Sequence, residues 1–534
     1  MKKNILTLFL FFTFVFQSAA FAQTATKSGS PARRAAETIT AEQLKDYLYY
    51  VASDEMEGRD TPSRGLDLTA KFIALNLKRW GFKPAGDNGS FMQTIALSRD
   101  TAAADKNTLE VAGQSYKFGE DFLRIAGDGT ANAPVVFAKD GWFVKSKNID
   151  ALAGVDARGK IILLQGSAFN RGTLTTFPSG TVPGDFAGEE GKDWADPMTY
   201  AKQKGAVGII LVAPPQIEQN WQQANTVLSR SGLYPDNFRK NGLPTLLISQ
   251  KVAQNAFGEI NMNAASEIGK SASFTAIGKK ETVNTQNVVA IWEGSDPKLK
   301  NEMVAVGAHY DHVGVRPNAQ GEDKIWNGAD DDGSGTVAVL AMAEALAKAP
   351  KRPKRSILLV WHTGEEKGLW GSEYFNKFPT VNIKNVVAQL NIDMIGRSKK
   401  PGDSNPKNKD LSGESEVYVI GSEMMSSKLG AITKATNDSF LKLSYNYKYD
   451  DPKDTNRFFF RSDHFHYAVN GIPIVFWFDG VHEDYHGADD EAEKIDYAKM
   501  EKVARTIFLT MWEVADLRER PAIDKQLPPE LMQR

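Results

Sequence analysis

The chain has 534 residues, with 64 lysines and arginines against 66 aspartates and glutamates, a net charge of -2 and no cysteine. That balance gives no electrostatic case for nucleic acid or a charged membrane surface as partner. The missing thiols exclude disulfides and cysteine-linked lipid, and the length allows about two or three domains with large cores.

Lys2 and Lys3 precede an apolar run from Ile5 to Phe16, and Ala20, Phe21 and Ala22 supply a small-x-small cleavage pattern. Residues 1–22 therefore read as a secretory signal peptide, too short for the ~20 residues of a bilayer span. No second run of that kind follows, so the expectation is an exported protein, periplasmic or secreted, without stable membrane insertion once the signal is cleaved. Residues 23–37, rich in Ser, Thr, Ala and Gly, read as a flexible linker.

Residues 38–96 form an N-terminal helical part. Thr40 and Gln43 make a capping box for a helix with Leu44, Tyr47, Leu48 and Val51 on one face. A polar turn containing Glu57, Gly58 and Arg59 follows, then a second amphipathic helix through Ala70, Ile73 and Leu77 to Trp80, stopped by Gly81. From 97 to 281 the texture changes to short β-rich runs between Gly, Pro and Asp turns, with no histidine. Within it Gly159 to Leu164, Tyr200 to Val212 and Leu243 to Ser249 resemble the protease-associated domain, a β-rich module inserted into several exopeptidases.

Between 282 and 520, strands and helices alternate. Val288 to Trp292, Met303 to Ala308, Ile357 to Trp361, Val386 to Ile392, Val417 to Ile420 and Ile474 to Phe478 read as buried strands. Thr336 to Ala349 and Tyr497 to Val514 read as helices, and 521–534 as a C-terminal tail. Near-continuous Val, Ile and Leu with helices between them predicts α/β architecture, a three-layer sandwich with a mostly parallel central sheet. Sites in such sheets form just beyond the carboxyl ends of strands.

The stretch NGADDDGSG, Asn327 to Gly335, stands at a strand-to-helix junction. Three consecutive aspartates there repel one another unless a cation neutralises at least one. All seven histidines lie between His309 and His486. His309, Asp331, Glu366, Asp393 and His486 are the candidate metal ligands. Two imidazoles and three carboxylates suit divalent ions, zinc above all. Five ligands exceed what one catalytic zinc uses and match two ions sharing a carboxylate with a hydroxide between them. Glu365, beside Glu366, is free to act as general base, and Asp311 is placed to hold an imidazole N–H. Asp330 and Asp332 read as turn-forming or supporting, His362 as packed, and His464 with Asp463 as a brace. His312, His466 and His482 read as surface or structural.

His309 in GAHYDH, Asp331 in NGADDDGSG, Glu365 and Glu366 in TGEEKG, Asp393 in NIDMIGR and His486 in EDYH together resemble the co-catalytic di-zinc aminopeptidase family, which shares its fold with the transferrin receptor. The match spans about Asn287 to Val514 and extends to Asp54–Arg59 and to RSDH at Arg461 to His464. The resemblance implies that Asp331 bridges two zinc ions, leaving the pairing of the other four ligands open. It also implies Glu365 as general base, Tyr485 as oxyanion stabiliser and a cis bond between Asp331 and Asp332. The implied reaction is hydrolysis of N-terminal residues from peptides with a free N-terminus. Alternatives are a carboxypeptidase, dipeptidase or glutaminyl cyclase of the same fold, or a non-catalytic receptor-like protein. Loss of a ligand would mark the last, and none is lost.

Overall fold

A computed structural model describes residues 25–527 and 531 except 167–176, 187, 230–231 and 240–241; the expected signal peptide lies outside the described residues. The chain divides into two compact units, one of Met1–Ile95 with Asn284–Arg534 and one of Ala96–Val283. No described helix is long and apolar enough to cross a membrane.

In the first unit the elements are α1 (Pro31–Ala36), α2 (Ala41–Val51), α3 (Arg64–Trp80), β1 (Gly278–Trp292, pairing over its last five residues), β2 (Met303–His309), α4 (Gly335–Lys348), β3 (Ser356–His362), α5 (Trp370–Lys377), β4 (Val386–Ile392), β5 (Glu416–Ile420), α6 (Ser427–Ser439), β6 (Ser444–Asn446), α7 (His464–Val469), β7 (Ile474–Phe478) and α8 (Tyr497–Asp516). They run across the sheet as β1-β3-β2-β4-β7-β5-β6. The central four, β3, β2, β4 and β7, are parallel; β1 and β5 flank them antiparallel, and β6 is parallel to β5.

The four central strands are buried at every position and mostly apolar because both faces are covered. Val304, Val306, Ala308, Ile357, Leu359, Trp361, Val475 and Trp477 face one core, which also takes in residues of α2, α3, α4 and α8. Met303, Ala305, Leu358, Val360, Ile474, Phe476 and Phe478 face a second core with Phe375 of α5 and Phe465 of α7. Successive side chains of a strand point to opposite faces, so the alternation itself produces helix, sheet, helix: the expected three-layer sandwich.

Behind the carboxyl edge of the sheet, Lys499 of α8 is fully buried. Its Nζ lies 2.8 Å from Asp479 Oδ1 and donates to Ser412 Oγ at 2.8 Å and to the Arg397 carbonyl at 2.9 Å. Burial pushes the Asp479 carboxyl up to about 7, with Lys499 opposing. Breaking such a pair from one side strands the partner's charge, so Lys499→Met should lower unfolding free energy by about 3–5 kcal/mol in urea titration. Adding Asp479→Leu should recover most of that loss; a double variant no better than the single would refute the pairing argument.

Residues 23–37, expected as a flexible linker, need correcting where they are described. Ser30 caps α1 by accepting from Arg33 N, Pro31 sits at its start, and Ala32, Ala35 and Ala36 are buried. Ala25 N donates to Glu513 of α8 at 2.6 Å. Small alanines let this helix pack closely against the core, and composition alone does not distinguish that role from linker softness.

The second unit, where the sequence places an inserted body at 97–281, carries an eight-stranded sheet. Four of its strands, Gly129–Phe137, Ile161–Gln165, Gly208–Val212 and Thr245–Ile248, are mutually parallel; Ser266–Ala276 and Phe122–Ala126 run antiparallel outside them. Helices Pro197–Gln203, Trp221–Leu228 and Gln250–Phe257 belong to it, so the β-rich body also carries helices.

Candidate metal centre

Sheet register aligns the first two site residues. Gly307 of β2 pairs with Asn391 of β4, so His309 and Asp393 stand two residues further along neighbouring parallel strands. His309 also pairs with His362, so the turn after β3 places Glu365 and Glu366 at the same edge. His486 comes from the connection between β7 and α8, in a left-handed conformation with φ 51°.

The aspartate run is held by its outer members. Asp332 accepts from the backbone N–H groups of His309 (3.2 Å), Gly335 (2.9 Å) and Met394 (3.1 Å), and Asp330 accepts from Gly396 N at 2.7 Å. The N–H groups of Asp330 and Asp331 donate to the buried Asp490 carboxylate. Asp330 and Asp332 thus satisfy backbone donors, and the middle carboxylate is left to face the cluster. The Asp331–Asp332 peptide bond is cis.

Asp331 divides its oxygens. Oδ1 lies 3.4 Å from His309 Nε2, which is 3.6 Å from Asp393 Oδ1. Oδ2 lies 3.2 Å from His486 Nε2 and 3.6 Å from His312 Nδ1; Glu366 is 2.9 Å from the former and 3.0 Å from the latter. Two ligand groups result: His309, Asp331 and Asp393; and Asp331, Glu366, His486 and His312. His309 Nδ1 faces the Asp311 carbonyl at 3.1 Å and the Asp311 carboxylate at 3.7 Å, which leaves Nε2 bare toward Asp331. The Asp311 carboxylate itself accepts from Glu365 N at 3.1 Å.

The charges are unbalanced in a way a cation would relieve. Burial pushes the Glu365 carboxyl well above its usual range, with Glu366, Asp393 and Asp463 adding and His309 opposing. Burial likewise raises Asp393 against the pull of His309. Burial works to raise Asp331, but the facing imidazoles of His309 and His486 hold it well below the carboxylate range. Burial opposes protonation of His486, yet Asp331 and Glu366 bring it up to about 10. His309 Nε2, His312 Nδ1 and Asp331 Oδ2 are buried with no hydrogen-bond partner among the described residues. Bare imidazole nitrogens facing carboxylate oxygens at these distances suit borderline divalent ions such as zinc.

Glu365 Oε2 lies 4.0 Å from His309 Nε2 on the open side of the cluster. Tyr485 stacks on His486 with ring centroids 4.0 Å apart, and its hydroxyl accepts from Arg461 Nη2 at 3.3 Å. Glu365, Asp331, Asp393, Tyr485 and Arg461 line a cleft whose other wall is Met394, Phe458, Phe476, Phe478 and Val481.

His312 and His482, read from the sequence as surface or structural, are fully or almost fully buried. His482 Nε2 lies 3.3 Å from Asp330 Oδ2, behind the aspartate loop. His362 is packed and faces the Tyr467 hydroxyl at 3.2 Å, and His464 stacks on Phe476 at 4.5 Å. His312 is the residue that sequence reasoning missed. Its signal was present in the clustering of histidines, three positions after His309.

Residues 287–511 match the profile described as Peptidase family M28. A probable leucine aminopeptidase from Trichophyton verrucosum is 30% identical over 227 residues, covering 41% of this chain and 56% of that protein. Leupeptin-inactivating enzyme 1 from Streptomyces exfoliatus is 37% identical over 117 residues, 22% of this chain and 24% of that protein. The chain thus spans about half the length, or less, of these curated relatives. Among solved structures, an aminopeptidase from Aneurinibacillus sp. strain AM-1 matches with TM-score 0.46 and 16% identity over 92% of this chain and 96% of that one. A zinc aminopeptidase from Bacillus subtilis matches with TM-score 0.45 and 17% identity over 92% and 98%.

Proposed function

We propose that this chain, whose residues 287–511 match peptidase family M28, is an exported zinc aminopeptidase that releases N-terminal residues from peptides. The observation that carries the reading is the convergence of His309, Asp331, Glu366, Asp393 and His486 around two positions sharing Asp331. In this reading these five hold two divalent ions, and the inserted unit is a protease-associated-like body. Bound there, the ions would polarise a substrate carbonyl and acidify water.

The protein's own groups do the rest. The cleft wall of Met394, Phe458, Phe476, Phe478 and Val481 receives an apolar N-terminal side chain, leaving the scissile carbonyl over the carboxylates. Glu365 removes a proton from the attacking water and returns it to the leaving amine as the C–N bond breaks. The Tyr485 hydroxyl donates to the developing oxyanion while accepting from Arg461.

Chelation should abolish hydrolysis of amino-acid anilides with a free amine, and zinc should restore it. N-acetylated substrates should remain uncut in both states. Cleavage of the acetylated substrates at a comparable rate, or activity indifferent to chelation, would refute the aminopeptidase reading.

A further inference from the structure

His312 lies outside the five ligand positions of the proposed reading, and its surroundings form a built place for it. Its ring is fully buried, and neither ring nitrogen has a hydrogen-bond partner among the described residues. An unpaired buried imidazole costs free energy unless something takes its lone pair. The ring is fixed by backbone: His312 N donates to the Arg59 carbonyl at 3.2 Å. Gly328, at φ 60°, lies where a Cβ would come within 2.3 Å of the His312 ring, so a side chain there would exclude it.

The spacing of the donors is the quantitative part. Four donors roughly 2.0–2.2 Å from a tetrahedral zinc stand roughly 3.3–3.6 Å from one another. Around the second position four of the six separations are 3.0 Å (His312 Nδ1 to Glu366 Oε1), 3.6 Å (His312 Nδ1 to Asp331 Oδ2), 3.2 Å (His486 Nε2 to Asp331 Oδ2) and 3.0 Å (His486 Nε2 to Glu366 Oε1). Four donor atoms, two imidazole and two carboxylate, thus gather within 4.8 Å of one another, as the donors of one four-coordinate ion must. The first position offers three, from His309, Asp331 and Asp393.

We infer that His312 Nδ1 is a further protein ligand of the ion held by Glu366 and His486, which closes that ion's coordination and leaves the open position on the ion held by His309 and Asp393. This inference rests on the metallopeptidase reading and adds an asymmetry to it. The closed position is the tight, slowly exchanging one, and the three-donor position is where solvent and substrate have access.

The test uses the full chain, stripped of metal and reloaded with zinc or with cobalt(II), and reads metal binding rather than turnover. The wild-type protein should hold two zinc ions per chain. His312→Gln should hold one as before and bind the other more weakly by on the order of 100-fold or more, beyond what loss of a merely supporting contact costs. His312→Cys guards against misfolding of the first variant. The natural chain has no cysteine, so a thiolate-to-cobalt charge-transfer band in that variant reports direct ligation at position 312. Unchanged zinc affinity in His312→Gln, or weakened affinity without a band in cobalt-loaded His312→Cys, would overturn the inference while leaving the two-ion reading intact. A wild-type chain that binds no zinc would overturn both.

Discussion

Glu365→Gln should cost roughly 10² to 10⁴ in turnover while both metals stay bound. The carboxylate sits at the cleft wall, 4.0 Å from His309 Nε2, and its backbone N–H is tied to Asp311. Burial and the neighbouring carboxylates of Glu366, Asp393 and Asp463 hold its pKa well above the usual carboxylate range. A base of raised pKa is better matched to taking a proton near neutrality. Glutamine keeps the shape and removes the proton acceptor. The substitution also withdraws one negative charge from a crowded buried cluster, so the variant should be no less stable than the natural protein. The measurements are kcat on a free-amine substrate, zinc per chain and the thermal midpoint, taken on one preparation. A fully metal-loaded variant with natural turnover would remove Glu365 from the base role, and one that loses zinc would make it a ligand.

The parts of this molecule that were legible in the sequence are those where one physical requirement dominates. Ile474–Phe478 had to be apolar throughout, and Val386–Ile392 apolar but for the hydrogen-bonded Gln389 and Asn391, because helices cover both sides of the sheet, and they read directly as strands. His309 and Asp393 could be placed at strand ends, and parallel register then set them level. Residues 25–36 were illegible because an alanine-rich run has the same composition whether it packs or floats. The histidine clustering pointed toward His312, but its place in the site was illegible for a different reason. Three residues along a non-helical path fix no spatial relation, and here the chain past His309 is redirected by a contact with the Arg59 carbonyl, 253 positions before it in sequence. His482 was hidden in the same way, because only the folded loop brings it behind Asp330.

Arg59 yields the second large expected effect. Its guanidinium is fully buried and donates to four carbonyls: Tyr310 (2.9 Å), Val51 (2.8 Å), Asn327 (2.7 Å) and Gly328 (2.8 Å). Two of these belong to the residues that lead into the aspartate run, so this one side chain sets where Asp331 begins. Burial brings its pKa down to about 10, with Asp311, Asp332, Asp490 and Asp331 opposing, so it remains charged at neutral pH. Arg59→Met matches its length but removes every donor. Each stranded buried carbonyl costs about 1–3 kcal/mol, and the nearby carboxylates lose their counter-charge as well. Even partial relaxation leaves a loss of about 4 kcal/mol or more, against a total of about 5–15 kcal/mol for a typical domain. Arg59→Met should therefore be unfolded or close to it. Arg59→Lys separates stability from site geometry, because an ammonium keeps the charge but cannot span a fork of four acceptors. That variant should fold with lowered stability and bind zinc more weakly than the natural chain. If Arg59→Met unfolded at the natural urea midpoint and held two zinc ions, the aspartate loop would have to be positioned by something other than this guanidinium.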